Sequence, residues 1–495
     1  LMLTQRMLAA SFYAPVRFKA NSSAQEAVAQ RAGIAPLTQA ALIDAQPYLP
    51  LNQSEAVGRL RIVGASERAP GLTRDDIVVL RDVPLSLPPV AGVLTERPST
   101  ALSHVNLLAK GWGIPNAYVR DAAQAVLAWD GQWVHLRVSA SGYTLRAATD
   151  AERSAAGQAR AAQASRPSRL TAKPDLARTA LAPLSALRVA DRQRCGAKAA
   201  HLGALRAAGI AGTVVPDGFC IPFAAYAQFS RQHGLAQRVA QMRARPGFEG
   251  DAGLRRQALA ELRGEMAQWP LPSDMAEAWT QRWTQQLNGA GVFVRSSSNS
   301  EDLPHFSGAG LYTTVPHVRT AQGLAVAVRQ VWASLYNFEA WEARRAAGLD
   351  EQQWVMGVLV QQAVDASASG VMVTRDPFDA RRRQVSYIAA KRGLGIRVVD
   401  GQRVAEQVLV HARSGAVQVI SRSADEVALQ LDPAGGVREV AVSAGRAVLT
   451  DAVAQRLAGV GAAIRRQFGG RDQDIEWALL GEQIVILQAR PFVDD

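Results

Sequence analysis

The sequence has only two cysteines among its 495 residues, Cys195 and Cys220. Two are too few for a disulfide framework or a structural zinc site, so we expect packing residues in a reducing compartment, most simply the cytoplasm. A run of about 18 uninterrupted apolar residues, which a membrane-spanning helix needs, does not occur. The weakly apolar start at residues 1–10 lacks a long hydrophobic region and a clear cleavage site, so we expect no signal peptide. Because the chain begins with Leu1 rather than Met, we expect an excerpt of a longer protein.

Positive charge is in excess, but it is not concentrated in one part of the sequence. The 55 Lys and Arg residues against 43 Asp and Glu give a net charge of +12 and a pI near 10.2. Arginine is spread along the chain, and no basic run with interleaved aromatic residues marks a nucleic-acid surface, so we expect neither a nucleic-acid nor a membrane partner. A hydrophobic fraction of 48%, a charged fraction of 20% and a mean hydropathy of −0.04 are typical of a globular protein.

The pattern of short apolar runs, glycines and prolines predicts an α/β protein of α+β multidomain type. Residues 1–57 contain too little material for a domain of their own and are interpreted as a lead-in segment. Residues 58–146 show short buried strands and one helix, which predicts a compact β/α domain. Residues 147–190 combine a polar helix with a proline-containing stretch and are predicted to be a linker. Residues 191–495 are predicted to form a large two-lobed domain.

The first candidate motif is the stretch GVLTERPSTALSHVNLLAKGWGIPNA at residues 92–117. A strand ends there, a polar turn follows, and Ser103 can cap a helix that has His104 in its first turn. A helix start favours a phosphoryl group, and a neutral imidazole can accept and pass on that group. However, His104 is one of seven histidines, and from the residues alone a plain surface or core role is the usual one for a single histidine.

The second motif, FVRSSSNSEDLPHFSGAGLY at residues 293–312, carries Arg295 out of a strand into a run of hydroxyl groups. Its segment Ser307, Gly308, Ala309 and Gly310 can fold closely over an anion because glycine accepts any φ. A plain loop would have the same composition. The third motif, CGAKAAHLG at residues 195–203, starts a helix with Lys198, which is either a phosphate ligand or a solvated lysine.

The fourth motif, DQDIEWALLGEQIVILQARPF at residues 472–492, alternates on both sides of Gly481 and predicts a β-hairpin. A three-residue loop over residues 481–483 would set Leu480 opposite Ile484, Glu476 opposite Gln488 and Asp474 opposite Arg490. Side chains of opposed residues lie about 5 Å apart, so oxygens of Glu476 and Gln488 could share one hard cation such as Mg²⁺. The alternative is a polar strand face turned to solvent.

Taken together, the four motifs resemble the dikinase family, which includes phosphoenolpyruvate synthase, pyruvate phosphate dikinase and the glucan water dikinases. The resemblance covers about residues 60–140 and 190–495. It implies a swivelling β/β/α phosphohistidine domain followed by an ATP-grasp-like nucleotide-binding domain, an order similar to that of the glucan water dikinases. We therefore expect no barrel of the kind that binds phosphoenolpyruvate.

The resemblance also implies roles for individual residues. It identifies His104 as the phosphoryl carrier, and Glu476 and Gln488 as Mg²⁺ ligands. It implies that ATP contacts Lys198, Arg295, Ser307, Gly308, Gly310, Arg344, Asp474 and Arg490. The sequence departs from the phosphoenolpyruvate synthases at Ile396, where they usually place Glu after Gly-Leu-Gly.

The implied activity is the transfer of the β-phosphoryl group of ATP through a histidine to an acceptor, with release of AMP and phosphate. The domain order favours a glucan or another hydroxyl compound as acceptor, and the alternative is a small metabolite or an antibiotic. A different class stays open too, a non-catalytic nucleotide-binding regulatory module, for which Ile396 is the only support.

Overall fold

The computed structural model describes residues 1–13, 16–35, 37, 46–64, 71–82, 84, 87–97, 103–164, 173–300, 302–303, 306–307, 310–349, 354–377, 382, 384–397, 405–423, 425–443 and 447–492. Sheets and helices alternate throughout this part of the chain, so the mixed α/β character predicted from the sequence is confirmed. The described chain comprises a lead segment (residues 1–35), an N-terminal unit (residues 46–164) and a C-terminal unit (residues 173–492). In the described part of the chain, no helix is both long enough and apolar enough to cross a bilayer.

The N-terminal unit is built on one sheet with the strand order β1-β5-β4-β3-β2-β6-β7. The strands are β1 Tyr48–Asn52, β2 Glu55–Val63, β3 Asp76–Leu80, β4 Gly92–Thr95, β5 Asn116–Val119, β6 Trp133–Val138 and β7 Tyr143–Ala147. Neighbouring strands from β2 to β5 run parallel, which requires crossover connections. The lead segment contains the helices α1 Met2–Ser11 and α2 Ser23–Arg31, and the N-terminal unit contains α3 His104–Gly111, α4 Ala122–Ala125 and α5 Asp150–Ala164.

The predicted strands and the predicted helix of this unit are present. Ser103 caps α3 as expected, because its side chain accepts a hydrogen bond from the Asn106 amide at 3.4 Å. Strand β1, from the predicted lead-in, pairs with β5 at the sheet edge. Helix α5, from the predicted linker, packs on β2, where Arg160 donates to the Val57 carbonyl and pairs with Asp75 at 2.6 Å. Both elements are therefore attached to this sheet.

The C-terminal unit contains two larger sheets, with the orders β14-β11-β15-β10-β8 and β19-β18-β17-β16-β22-β23-β9. The strands of the first sheet and of the small pair β12–β13 are β8 Ala182–Pro183, β10 Gly218–Ile221, β11 Val292–Ser298, β12 Asp302–Leu303, β13 Phe306–Ser307, β14 Thr314–Val318 and β15 Met356–Gln362. The remaining strands are β9 Thr213–Val214, β16 Ala368–Val373, β17 Val385–Arg392, β18 Glu406–His411, β19 Val417–Ser421, β20 Val427–Leu431, β21 Val437–Ala441, β22 Gln473–Leu480 and β23 Gln483–Pro491.

Eight helices of the described residues complete this unit. They are α6 Arg192–Ala208, α7 Phe223–Gln232, α8 Leu235–Arg243, α9 Ala252–Gln268, α10 Ser273–Leu287, α11 Ala321–Ala333, α12 Phe338–Ala346 and α13 Asp451–Gln467. The first sheet and the helices α7 to α12 share one apolar core that includes Trp279, Trp332 and Trp341, whereas the second sheet shares another with α6 and α13. Two sheets with separate cores agree with the expected two lobes.

The cysteines are buried, as expected of packing residues, but they are not the free thiols that a reducing compartment predicts. Cys195 at the start of α6 and Cys220 on β10 form a disulfide bond, and both residues are fully buried. The physical reason lies in the fold, since α6 packs on the sheet that contains β10 and brings together two residues that are 25 positions apart. The bond joins the start of α6 to the first sheet of the C-terminal unit.

The lead segment is attached to the C-terminal unit through α2. The Arg422 guanidinium, after β19, makes three hydrogen bonds to the Glu26 carboxylate and one to Glu406 at 2.9 Å. Burial alone would lower the pKa of Arg422, but the hydrogen bonds that it donates to Glu26 and Glu406, together with their negative charges, outweigh this effect and raise the pKa. The Val419 amide also donates to the Asn21 carbonyl at 2.8 Å. The stretch from Asn21 to Glu26 therefore lies on the C-terminal unit, whereas β1 belongs to the N-terminal unit.

Candidate active site

Strands β22 and β23 form the predicted hairpin, and their polar residues are paired as expected. Glu476 lies opposite Gln488, and Asp474 lies opposite Arg490. The Arg490 guanidinium donates two hydrogen bonds to one Asp474 oxygen, at 2.9 and 2.7 Å. The hairpin therefore presents an ion pair beside a carboxylate and an amide.

The turn of this hairpin differs from the prediction, and a β-bulge compensates for the difference. Leu480 lies opposite Gln483 rather than Ile484, so the turn has two residues and Gly481 adopts a φ of 59°. Between Glu476 and Trp477 the register shifts by one residue, which leaves Leu487 as the extra residue of β23. This shift restores the predicted pairing of Glu476 with Gln488. It also frees the Leu487 carbonyl, which accepts a hydrogen bond from Arg295.

Arg295, on β11 of the other sheet, connects the two halves of the site. Its Nη2 donates to Glu476 Oε2 at 3.1 Å and to Gln488 Oε1 at 3.2 Å. Its Nη1 donates to Gln361 Oε1 at 3.0 Å. The Glu476 side chain is still 38% exposed, whereas that of Arg295 is 11% exposed. The oxygens of Glu476 and Gln488 thus converge on one cationic nitrogen.

The same oxygens are suited to a hard divalent cation. Magnesium is commonly bound by one or two protein oxygens, with water and phosphate oxygens completing an octahedron. Glu476 and Gln488 supply a carboxylate and an amide oxygen that already meet at a positive group. Within the described residues, no group of three or more His, Cys, Asp or Glu side chains is arranged for a metal. The residues present therefore fit a cation that is bound together with a polyphosphate, and not a closed structural metal site.

Lys198 lies next to Arg295 in the fold. Its ammonium group donates to the carbonyl and the hydroxyl of Ser296, at 2.8 and 3.3 Å. This approach requires Gly196, which has a φ of 81°, because a Cβ atom there would lie 2.2 Å from the Ser297 carbonyl oxygen. The Ser297 hydroxyl accepts from the Ala199 amide at 3.1 Å. The first turn after Gly196 is thereby fixed against β11.

Arg344, expected at the nucleotide, lies inside the helical part of the first lobe. It is fully buried, stacks over the Trp354 ring with its guanidinium carbon 3.8 Å from the ring centre, and donates to the Tyr312 hydroxyl at 2.9 Å and to the Leu335 carbonyl. The Tyr312 hydroxyl is also 2.8 Å from that of Ser300. Arg344 therefore supports the ends of the segment between β11 and β14, and its contact with ATP stays a prediction.

The predicted glycine-rich segment is described in part. Ser307 lies in β13 and pairs with Asp302 of β12, and Gly310 has a φ of 70°. Gly308 lies outside the described residues. Ile396, the departure from the expected motif, is 41% exposed in a short 3₁₀ turn.

His104 is the first residue of α3, a helix that contacts the C-terminal unit. What the structure describes of His104 is its backbone. Helix α3 contacts β13, and Leu108, 1% exposed, belongs to the same buried cluster as Leu311 of the C-terminal unit. Near the other end of the helix, the Lys110 ammonium lies over the Phe492 ring, 5.4 Å from its centre. Helix α3 is thus placed between β13 and the end of β23.

Three groups of the site were not singled out from the sequence. Gln361 and the Leu487 carbonyl hold Arg295, and the Phe492 ring receives Lys110. Gln361 could have been found, since it is a polar residue in the otherwise apolar strand β15 and is only 2% exposed. The Leu487 carbonyl depends on the bulge and left no sequence signal.

Residues 192–494 match the family described as pyruvate phosphate dikinase, AMP/ATP-binding domain. The match covers more than half of the chain, and the protein belongs to this family. Its C-terminal unit is therefore an AMP/ATP-binding domain of the dikinase type. The matched residues include Lys198, Arg295 and the whole β22–β23 hairpin.

Curated relatives share the same region. The chain is 35% identical over 299 residues to a rifampicin phosphotransferase of Streptomyces sviceus, which covers 60% of this chain and 34% of the relative. It is 32% identical over 333 residues to a phosphoenolpyruvate synthase of Pseudomonas aeruginosa, and this match covers 62% of this chain and 41% of the relative. A prodigiosin synthesizing transferase, PigC, of Serratia marcescens is 31% identical over 316 residues, and this match covers 63% of this chain and 33% of the relative. The match thus spans only a third to two fifths of these relatives.

Proposed function

We propose that this protein is a dikinase-type phosphotransferase in which the N-terminal unit is the phosphohistidine domain and His104 is the carrier. The observation that supports this most is the convergence of Glu476, Gln488 and Arg295 in an AMP/ATP-binding domain, against which α3 is packed. A histidine at the start of a helix is suited to receive a phosphoryl group.

In the proposed reaction, an imidazole nitrogen of His104 bonds to the β-phosphorus of ATP. The bond from that phosphorus to the oxygen bridging the α-phosphorus breaks, and AMP leaves with this oxygen. Water then removes the γ-phosphate as inorganic phosphate. The β-phosphoryl group that stays on His104 passes to an oxygen of the acceptor, which gives up its proton.

The protein groups around the cleft orient the nucleotide and compensate its charge. Glu476 and Gln488 would hold Mg²⁺, which when bound neutralises phosphate charge. Arg295 then turns its Nη2 from these two oxygens to phosphate oxygens, while Gln361 and Leu487 keep its Nη1 in place. Lys198 and Arg490 add positive charge on either side, as the developing charge of phosphoryl transfer requires.

We propose a small molecule as the acceptor. The names of the three relatives above refer to an antibiotic, to phosphoenolpyruvate and to a pigment, and these favour a small compound over the glucan that the domain order suggested. Assays of AMP formation with rifampicin, pyruvate and an α-glucan compare these classes directly. Stimulation by the glucan alone would restore the first expectation.

A non-catalytic nucleotide-binding module is the second candidate function. Ile396 supports it, because an exposed apolar side chain stands where phosphoenolpyruvate synthases have a carboxylate. Such a module would bind ATP and form neither AMP nor a labelled protein.

The test uses ATP labelled separately at the β and γ positions. We expect the intact protein to retain β-label and no γ-label, and His104→Ala to abolish the label. The matched control is His135→Ala, since His135 lies on β6 of the same unit and we expect its variant to label normally. Label at the γ position, or unchanged labelling of His104→Ala, would refute the carrier assignment.

The metal assignment has its own test on the same hairpin. Glu476→Gln removes one of the two proposed ligands, and we expect the rate of AMP formation to fall about a hundredfold, with partial recovery at high Mg²⁺. The control is Glu482→Gln, which makes the same change at the exposed turn between β22 and β23. An unchanged rate in Glu476→Gln would remove the metal assignment.

We also propose a cytoplasmic location, because ATP is available there. The Cys195–Cys220 bond is unusual for a cytoplasmic protein, since thiols are normally kept reduced in that compartment. Alkylation of free thiols during cell lysis, followed by mass analysis, tests the location and the bond together. Alkylated cysteines would indicate a reducing compartment, whereas unmodified cysteines would indicate that the bond is present in the cell.

A further inference from the structure

The second half of helix α3 is held by the C-terminal unit. The helix contacts β13, and Leu108 is buried in the apolar core of the C-terminal unit. Trp112, just after the helix, packs against the same cluster. In the last turn of the helix, Lys110 lies over the Phe492 ring. A rigid helix of this length separates residues 104 and 110 by about 9 Å.

Phe492 is part of the hairpin that presents the candidate metal ligands. Its amide donates to the Asp472 carbonyl at 2.8 Å, across from β22. Its ring packs on the cluster of Val373, Tyr387 and Leu409 under the second sheet. The Arg375 guanidinium also lies at this ring, 5.0 Å from its centre. The ring is therefore fixed with respect to Arg490, two residues earlier on the chain.

We propose that Lys110 and Phe492 are positioning residues for the first phosphoryl transfer. Their contact ties the end of α3 to the hairpin of Glu476 and Gln488, and so sets the distance between the start of α3 and the nucleotide. The inference rests on the proposed function for its kinetic part. Its structural part, that this contact docks the N-terminal unit, stands independently.

The physical basis is the cation–π interaction between an ammonium group and an aromatic ring. Such a contact contributes about 0.5–2 kcal/mol, depending on desolvation, which corresponds to a change of about two- to thirty-fold in a docking equilibrium. It is also directional, since the ammonium must lie over the face of the ring. A contact of this size can hold the docked state and still release the N-terminal unit for the second transfer.

The test measures docking and labelling in the same variants of the full chain. Lys110→Met keeps the apolar stem and removes the charge, Phe492→Leu keeps an apolar side chain and removes the ring, and Lys110→Arg keeps a cation. We expect single-turnover labelling from β-labelled ATP to slow about tenfold in Lys110→Met and in Phe492→Leu, with ATP affinity unchanged. We expect Lys110→Arg to label nearly normally, and the double variant to be no slower than either single variant.

Hydrogen exchange separates this inference from the proposed function. We expect the amides of α3 to exchange faster in Lys110→Met and in Phe492→Leu than in the parent, without ATP. Lys173→Met, which removes an exposed lysine outside α3, is the control and should leave them unchanged. If the parent takes no label but exchange rises as expected, the proposed function fails and the docking contact stands. If exchange in α3 does not change, or the two substitutions slow labelling additively, the inference is wrong.

Discussion

Arg295 is surrounded by four oxygen acceptors from two other parts of the chain. Gln361 belongs to β15 of the first sheet, whereas Glu476, Leu487 and Gln488 belong to the hairpin of the second sheet. A guanidinium group can serve all of them, because it presents five donors in a planar fork and keeps its charge. This single side chain therefore joins the two lobes at the point where the nucleotide is expected.

The substitution Arg295→Lys tests this arrangement. A lysine keeps the charge, but its single ammonium group cannot reach acceptors on both sheets, so we expect ATP affinity to fall at least about tenfold and AMP formation about a hundredfold. Isothermal titration and an AMP assay measure the two effects. The control is Arg238→Lys, since Arg238 and Glu265 form an exposed ion pair on the surface, where we expect no measurable change. Equal behaviour of both variants would contradict the role of Arg295.

At the scale of elements, the hairpin illustrates how much of the site the sequence could predict. The alternation of residues placed Glu476 opposite Gln488 correctly, because partners on one face follow from a period of two. The predicted three-residue turn was wrong. The structure has a two-residue turn at Gly481, and the bulge at Leu487 then restores the predicted pairing further along the hairpin. The capped start of α3 was predicted because capping is local. The Cys195–Cys220 bond was missed because it depends on how α6 packs on β10.

At the scale of elements, the disulfide bond leads to a prediction about the stability of the fold. Joining residues 25 positions apart restricts the unfolded chain, so we expect reduction to lower the free energy of unfolding by about 3 kcal/mol. Urea denaturation of the parent with and without dithiothreitol measures the difference.

The double variant Cys195→Ala and Cys220→Ala is the control for this experiment. It should unfold at the same lower urea concentration under both conditions, since no bond remains to be reduced. A parent protein that is insensitive to dithiothreitol under conditions in which its thiols become free would contradict the expectation.

At the scale of the whole molecule, the N-terminal unit is connected at both ends to segments that lie on the C-terminal unit. Before it, α2 is attached through Glu26, Arg422 and Glu406. After it, the Asp175 amide donates to the Gln193 carbonyl, and β8 joins the first sheet beside β10. Neither attachment was predicted, because each joins segments far apart in sequence and depends on the finished fold.

The substitution Glu26→Gln tests the first attachment. It removes the carboxylate charge from the largely buried pair with Arg422, so we expect faster hydrogen exchange in residues 23–31 and a loss of about 1–3 kcal/mol in overall stability. The control is Glu265→Gln, which weakens the exposed pair with Arg238 and should leave exchange in α2 unchanged. Unaltered exchange in α2 of the Glu26 variant would show that the ion pair does not hold the segment.

These two attachments limit how far the N-terminal unit can move. From Ala164 at the end of α5 to Lys173, the chain takes nine steps, and a fully extended chain covers about 3.4 Å per step. The end of α5 therefore stays within a sphere of about 30 Å around Lys173, whatever the N-terminal unit does. In the reaction that we propose, the acceptor then has to be delivered within the space that this tether leaves to the N-terminal unit.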